Sequence, residues 1–501
     1  MNEINNEIAK GAAWMVAFKF LDRGIGLAST VVLARLLAPT DFGLIAMAMM
    51  LIAALQLLVA FSFDVHLIQK ADAGRAEFDT VWTFNVLFGL AIGAALALLA
   101  HFMAGFYREP RLEAVIYTLA LGCVANGLAN VGPVMFRREM RFDREFKFML
   151  GKRLAPVAVT IPIALWLHSY WALALGQLTG TFVAVALSYY MSSYRPRFSL
   201  AARAELFHAS KWLVVNNMLA FLNGRAAEFV IGKFAGASGL GVYTISNEIS
   251  TLPTTELVAP INRAAFPGYA RLAHDLARLR DSFLGVISMI ALFAIPAGLG
   301  IAALADLMVP AVLGWKWQAA TPLIQVLALY GVLGALQTNI GYVYLAVGRP
   351  RLITIVAFVQ FLVLLALLLP ATWYHGAIGA AVAFLGTALL MAPVNQILIA
   401  HQLRLSLPAY LARLWRPLVA GLAMVLALVA FKQVVATQHT LALAATLLAG
   451  IAFGALVYSA CLYLLWRVAG RPDSAERVCL TQIEQAMHRA GVRVNFGLEP
   501  R

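Results

Sequence analysis

Lys19, Asp22 and Arg23 stand in the middle of an apolar run from Lys10 to Leu37, KGAAWMVAFKFLDRGIGLASTVVLARLL. About 20 apolar residues in a helix cover a bilayer's hydrocarbon core, so this run is long enough to span one. A charge at that depth is costly and normally faces a partner or a wet cavity. On a helix, Lys19, Arg23, Gly26 and Thr30 share one face. The chemistry such a face offers is non-covalent: holding an anion in a water-filled cavity. Arg225 and Glu228 repeat the theme in a later span, with Asn216, Asn217 and Asn223 beside them. A third polar set is Ser246, Asn247, Glu248, Ser250, Thr251, Thr254, Thr255 and Glu256, in a span broken by Pro253 and Pro260. Proline bends a helix, so this span is expected to be a kinked cavity wall. Each feature has a plainer reading. Lys19 with Asp22, and Arg225 with Glu228, lie at i, i+3 and can neutralise each other. Serine and threonine can serve only to pack helices together.

Candidate substrate-binding residues are therefore Lys19, Arg23, Arg225, Asn217, Asn247 and Arg263, the last near the inner end of its span. Asp22 and Glu228 are coupling carboxylates or charge partners. Arg35 and Lys233, at outer span ends, either close an outer gate or snorkel to the interface.

The elements that must position these residues are membrane helices. Of 501 residues, 62% are hydrophobic and 12% charged, and the mean hydropathy is +0.81. Soluble domains carry about twice that charge. Fourteen apolar windows are expected as spans, near 11–36, 42–64, 80–105, 113–135, 150–167, 170–193, 208–234, 240–266, 282–305, 320–346, 352–370, 376–400, 415–436 and 441–466. Lys and Arg cluster after every second span, most densely from Arg137 to Arg153, which places both termini in the cytoplasm. The same rule accounts for the net charge of +14 without invoking nucleic acid. Cys123, Cys461 and Cys479 are too far apart to form a disulfide framework or metal site. The outer loops are too short for the acceptor-binding domain of a membrane glycosyltransferase or polymerase. No nucleotide-binding or zinc motif is present, so neither cofactor, metal nor enzymatic activity is expected. Ser199–Trp212 and Ala270–Phe283 are expected as short interfacial helices. Leu480, Ile483 and Met487 predict a helix in the polar tail.

The chain also repeats itself. Trp14 and Gly43 are 29 positions apart, as are Trp212 and Gly241, and the two pairs are offset by 198. That offset sets Arg35 on Lys233 and Gly26 on Gly224. Two related halves, each opening with a charged membrane helix, form the plan of a transporter. The fold class is all-α and polytopic: two six-helix lobes, 1–198 and 199–402, two added spans in 403–466, and a cytoplasmic tail, 467–501.

The segments KGAAW, ARLLAPTDFGLIAMA (Ala34–Ala48) and HLIQK (His66–Lys70) resemble the Wzx-type polysaccharide transport branch of the multidrug/oligosaccharidyl-lipid/polysaccharide flippase superfamily. The resemblance implies a central cavity lined by spans one, two, seven and eight. It also implies a bacterial inner-membrane protein that moves undecaprenyl-diphosphate-linked oligosaccharide to the outer leaflet for exopolysaccharide, lipopolysaccharide or capsule assembly, in company with other polysaccharide-assembly proteins. A drug or organic-cation antiporter on the same fold is the alternative. Its cavity should be acidic and aromatic, whereas this one is cationic.

Overall fold

The computed structural model describes residues 2–59, 67, 74–435, 440–472 and 474–489, and among them every regular element is helical. The chain packs as two compact units, Met1–Thr244 and Ile245–Arg501.

The first unit contains α1 (Asn2–Leu36), α2 (Pro39–Leu58), α3 (Arg75–Tyr107), α4 (Arg111–Gly127), a short α5 (Val134–Arg138), α6 (Phe142–Leu167) and α7 (Trp171–Met191). It also holds most of α8 (Arg203–Leu252), which continues into the second unit. Within the first unit α3 packs on α4, α6 on α7, and α1 on α6. Gly236, at φ +67°, breaks α8 into two spans. That backbone region is open to glycine at little steric penalty. The second unit holds a π-helical turn (Pro253–Val258), α9 (Ala259–Leu272), α10 (Leu276–Met308), α11 (Ala320–Ala346), α12 (Pro350–Leu403), α13 (Leu407–Val434), α14 (Thr440–Val468) and α15 (Ala475–Arg489). Gly376, at φ +59°, divides α12 as Gly236 divides α8.

Among the described residues each of the fourteen expected windows overlaps a helical segment once these two breaks are counted, although residues 128–133 of the fourth window are irregular. Nine helices among the described residues are long and apolar enough to cross a membrane. At 17 residues, α4 is shorter than a usual span. The bend expected in span eight takes the form of the π-turn that begins at Pro253.

Two sequence expectations fail locally. Neither Ser199–Trp212 nor Ala270–Phe283 is a separate interfacial helix. Residues 192–202 form an irregular strap tied to the start of α3. Asp79 accepts from the Tyr194 hydroxyl and from Arg197 N, Thr83 Oγ1 accepts from Ser199 N, and Thr80 Oγ1 accepts from Ala202 N. Burial, and then the Asp79 carboxylate, push the Tyr194 hydroxyl well above its ordinary range. From Arg203 the chain runs straight into the next span. The second segment is split where Asp275 caps α10, its Oδ1 accepting from Ala277 N and Arg278 N at 3.1 Å. Such a cap fixes a helix start.

The quoted PTDFG motif has a local explanation. Pro39 occupies the first turn of α2, where no N–H is needed, and Asp41 Oδ2 accepts from Ala38 N at 2.8 Å. Gly43 then meets the segment after Gly236. A Cβ on Gly43 would fall on the Ala237 carbonyl, and a Cβ on Gly241 would fall on the Pro39 carbonyl. Gly43 and Gly241 are equivalent across the 198-residue repeat, and so are Pro39 and Ala237. The contact is therefore two-fold symmetric, and it lies within the first unit.

In the second unit α10 packs on α11, α13, α14 and α15. The tail helix α15 is docked rather than solvated: Glu476 is 4% exposed and meets Arg416 of α13, 3% exposed, with Nε to Oε1 at 3.4 Å. The Cys479 Sγ lies 3.9 Å from Met289 Sδ of α10. Burial, and then Glu476, push the Cys479 thiol up. Behind α15, between α10, α13 and α14, is an apolar cavity of about 1180 Å³.

Candidate functional site

The charged face of α1 is completed by a residue of α6. Asp22 meets a partner from another helix. Its Oδ1 lies 2.9 Å from Nε of Arg153. The Arg153 guanidinium lies over Gly26, one turn further along α1, where a side chain would displace it. Arg153 lies near the start of the expected window at 150–167, and helix α6 begins earlier, at Phe142, so Arg144 and Lys147 are helical as well. Arg, Glu and Lys are good helix formers and extend the helix past its apolar part. Aromatic contacts hold the two helices in register: Phe146 packs on Trp14 with centroids 4.9 Å apart and on Phe18 at 6.2 Å.

Lys19 is exposed and Arg23 half-buried. Lys19 and Arg23 stand on the face of α1 that Arg153 reaches from α6 to meet Asp22, so three cations gather there among the described residues. The Asp22–Arg153 pair keeps 43% and 36% side-chain exposure, so it orients the patch more than it stabilises the fold. Arg225 meets the plainer expectation. Its Nη1 donates to both oxygens of Glu228, at 2.7 and 2.9 Å, so this cation is locally neutralised. Arg225 remains half exposed while Glu228 is 13% exposed.

The side chains of Asn216, Asn217 and Asn223 lie outside the described residues. In the bent span Asn247 is half-buried. Its neighbours mostly pack: Ser250 Oγ donates to Ile324 O at 3.4 Å and Thr254 Oγ1 to Gly331 O at 3.3 Å, both on α11. Arg263 is exposed on α9. Lys233 Nζ donates to Phe106 O at 2.6 Å and sits over that ring at 4.0 Å, anchoring α8 to the end of α3. A cation at carbonyls ending a helix is favourably placed. Arg35 is exposed near the end of α1. The structure thus joins Asp22 to Arg153 and Arg225 to Glu228, and it adds Arg153, which the sequence offered only as one of many basic residues near a loop.

A sequence model of the polysaccharide biosynthesis protein family matches residues 32–322, more than half of the chain. The chain belongs to this family. It is 27% identical to the lipopolysaccharide biosynthesis protein WzxC of Escherichia coli (strain K12), over 83% of this chain and 85% of that one. It is 26% identical to the teichuronic acid biosynthesis protein TuaB of Bacillus subtilis (strain 168), over 91% and 95%. Among solved structures it shares its fold with the lipid II flippase MurJ in an inward closed conformation, with a TM-score of 0.73, 12% identity, and 92% and 100% of the two chains covered. An inward-facing multidrug resistance MATE family transporter of the MOP superfamily matches at a TM-score of 0.57 and 15% identity, over 76% and 94%. This family member is thus a multi-pass membrane protein of the polysaccharide branch, on a fold also found in drug transporters.

Proposed function

We propose that this chain is a lipid-linked oligosaccharide flippase, carrying undecaprenyl-diphosphate-linked repeat units from the inner to the outer leaflet of a bacterial inner membrane. It is a transporter, not an enzyme. The observation that carries the reading is the cationic patch of Lys19, Arg23 and Arg153 where α1 packs on the membrane-crossing helix α6 of a polysaccharide biosynthesis protein. A diphosphate entering a low-dielectric site needs charge-assisted hydrogen bonds, and arginine offers a planar bidentate fork for them. Arg225 joins that grip when a phosphate competes with Glu228 for it. Asn217, Asn247 and Arg263 supply weaker contacts around the headgroup.

The two repeats, 1–198 and 199–402, act as the lobes of an alternating-access device, with both termini in the cytoplasm. The segments 403–466 and 467–501 are additions to it. The fold is shared with a MATE transporter, so the fold does not separate the two substrate classes; the sign of the charge on α1 favours an anionic substrate.

Deleting the gene should cause a lipid-linked precursor to accumulate and surface polysaccharide to disappear. Arg23→Ala and Arg153→Ala chains, expressed at native level, should fail to restore export. Normal polysaccharide in the deletion strain would end the flippase reading.

A further inference from the structure

The first unit contains a second polar feature, separate from the α1 patch. A pocket of about 570 Å³ opens among α2, α3, α4, α6 and α7. Cavities that hold small molecules run from roughly 300 to 1,000 Å³. The pocket is built by a glycine contact: Gly89 of α3 and Gly127 of α4 meet backbone to backbone, with no room for a Cβ on either. That approach sets Asn85, one turn before Gly89, beside Asn126, and Gln56 of α2 completes a wall of three amides. None of these three side chains makes a hydrogen bond among the described residues. Asn130 differs, because its Nδ2 donates to Tyr194 O and its Oδ1 accepts from Gly132 N, so it is structural.

Glu145 stands in the same wall, 3% exposed. Its Oε1 accepts from Arg137, while its Oε2 has no partner among the described residues. A buried carboxylate oxygen left unsatisfied is unfavourable, and a donor brought by a ligand removes the penalty.

The chemistry of the wall narrows the ligand. A metal ion would need several carboxylates or imidazoles, and among the described residues no such group of three exists. A free phosphate would face Glu145, whose arginine is already engaged. A polyprenyl chain would leave three amides without partners. A sugar fits, since amides both donate and accept, as do hydroxyls, and the carboxylate oxygen accepts a further O–H. The pocket also adjoins the α1 patch through α6: Met149 and Lys152 line the pocket, and the next residue, Arg153, reaches Asp22.

We propose that this pocket is a sugar subsite, taking one or more hexose-type residues of the headgroup beyond its first sugar while the α1 patch holds the diphosphate. The assignment rests on the flippase reading above. Asn85, Asn126 and Gln56 are then the residues that select the glycan.

The test uses the full chain in nanodiscs and two lipids from the producing strain: undecaprenyl diphosphate carrying the complete repeat unit, and the same lipid carrying one sugar. The wild type should bind the complete unit about tenfold more tightly, the difference a few extra hydrogen bonds make. The Asn85→Ala/Asn126→Ala pair, which adds no bulk, and the Asn85→Leu/Asn126→Leu pair, which fills the space, should bring that ratio close to one. A ratio that stays at tenfold in the alanine pair overturns the subsite. So does a wild type that binds both lipids equally, which leaves the flippase reading standing. Binding of neither lipid by the wild type overturns the flippase reading itself.

Discussion

Removing one member of the buried Arg416–Glu476 pair should release the tail helix. Both side chains are 4% exposed, and Nε and Oε1 stand 3.4 Å apart. Neither oxygen of Glu476 has a hydrogen-bond partner among the described residues, nor does Arg416 Nη1. In Glu476→Ala the arginine keeps its charge in an apolar site, and in Arg416→Ala the carboxylate does. Stranding one member of a buried pair costs about 3–5 kcal/mol. At about 1.4 kcal/mol per factor of ten, the lower figure shifts the docked-to-undocked ratio more than about a hundredfold. Cys479 reports the change, being half-buried beside Met289 with its thiol pushed up by burial. Thiolate is the reactive form, so undocking restores both access and ordinary acidity. In a chain with Cys123→Ala and Cys461→Ser, maleimide labelling of Cys479 should accelerate about a hundredfold in either single variant, or reach the rate of a free thiol. The Arg416→Met/Glu476→Leu chain should label more slowly than the parent, because the pair is poorly satisfied and apolar packing replaces it well. Labelling within twofold of the parent in both single variants would refute the argument. The pH dependence has a definite sign. The docked thiol has a raised pKa, so its contribution to docking is complete below the ordinary thiol value of about 8.5 and is lost as pH rises through the docked value.

Three other outcomes are expected. Gly43→Ala and Gly241→Ala should each lower the melting temperature through overpacking of about 1–3 kcal/mol; since both act on one contact, the double variant should lose less than the sum, and strict additivity would argue against a shared contact. Asp22→Arg with Arg153→Asp should change thermal stability by less than about 1 kcal/mol, the scale of an exposed pair, yet abolish export because the patch is rearranged; full export would separate the patch from transport. Cysteines at positions 141 and 203 should be shielded from an impermeant reagent in intact cells and cysteines at 109 and 318 labelled, with the reverse pattern inverting the topology.

Much of the fold was legible because membrane helices announce themselves by length and hydropathy. The helix break at Gly236 falls in the gap between two apolar windows, that at Gly376 falls on the first residue of a window, and Pro253 marks the bend in span eight. The site was less legible. Arg153 lies at the start of an expected span, at the end of a run of many cations, and nothing in the sequence singles it out; the Phe146–Trp14 contact that brings α6 against α1 does. Spacing finds the Arg225–Glu228 pair, but it does not find Arg153 as a partner of Asp22, since spacing along one helix cannot register a group on the next. The docking of α15 was invisible because Arg416 and Glu476 are 60 positions apart and each, taken alone, resembles an exposed charge.

The paired glycines have a consequence for how such a chain changes over time. Were the halves separate, identical polypeptides, the Gly43–Gly241 contact would be an ordinary homodimer seam, and any replacement there would appear on both sides at once. Fusion into one gene splits that fate. A methyl can now be tried on one side alone, and a shift of backbone on the other side can absorb it. Asymmetry between the halves therefore has a natural place to begin, at a spot where each half touches its own counterpart.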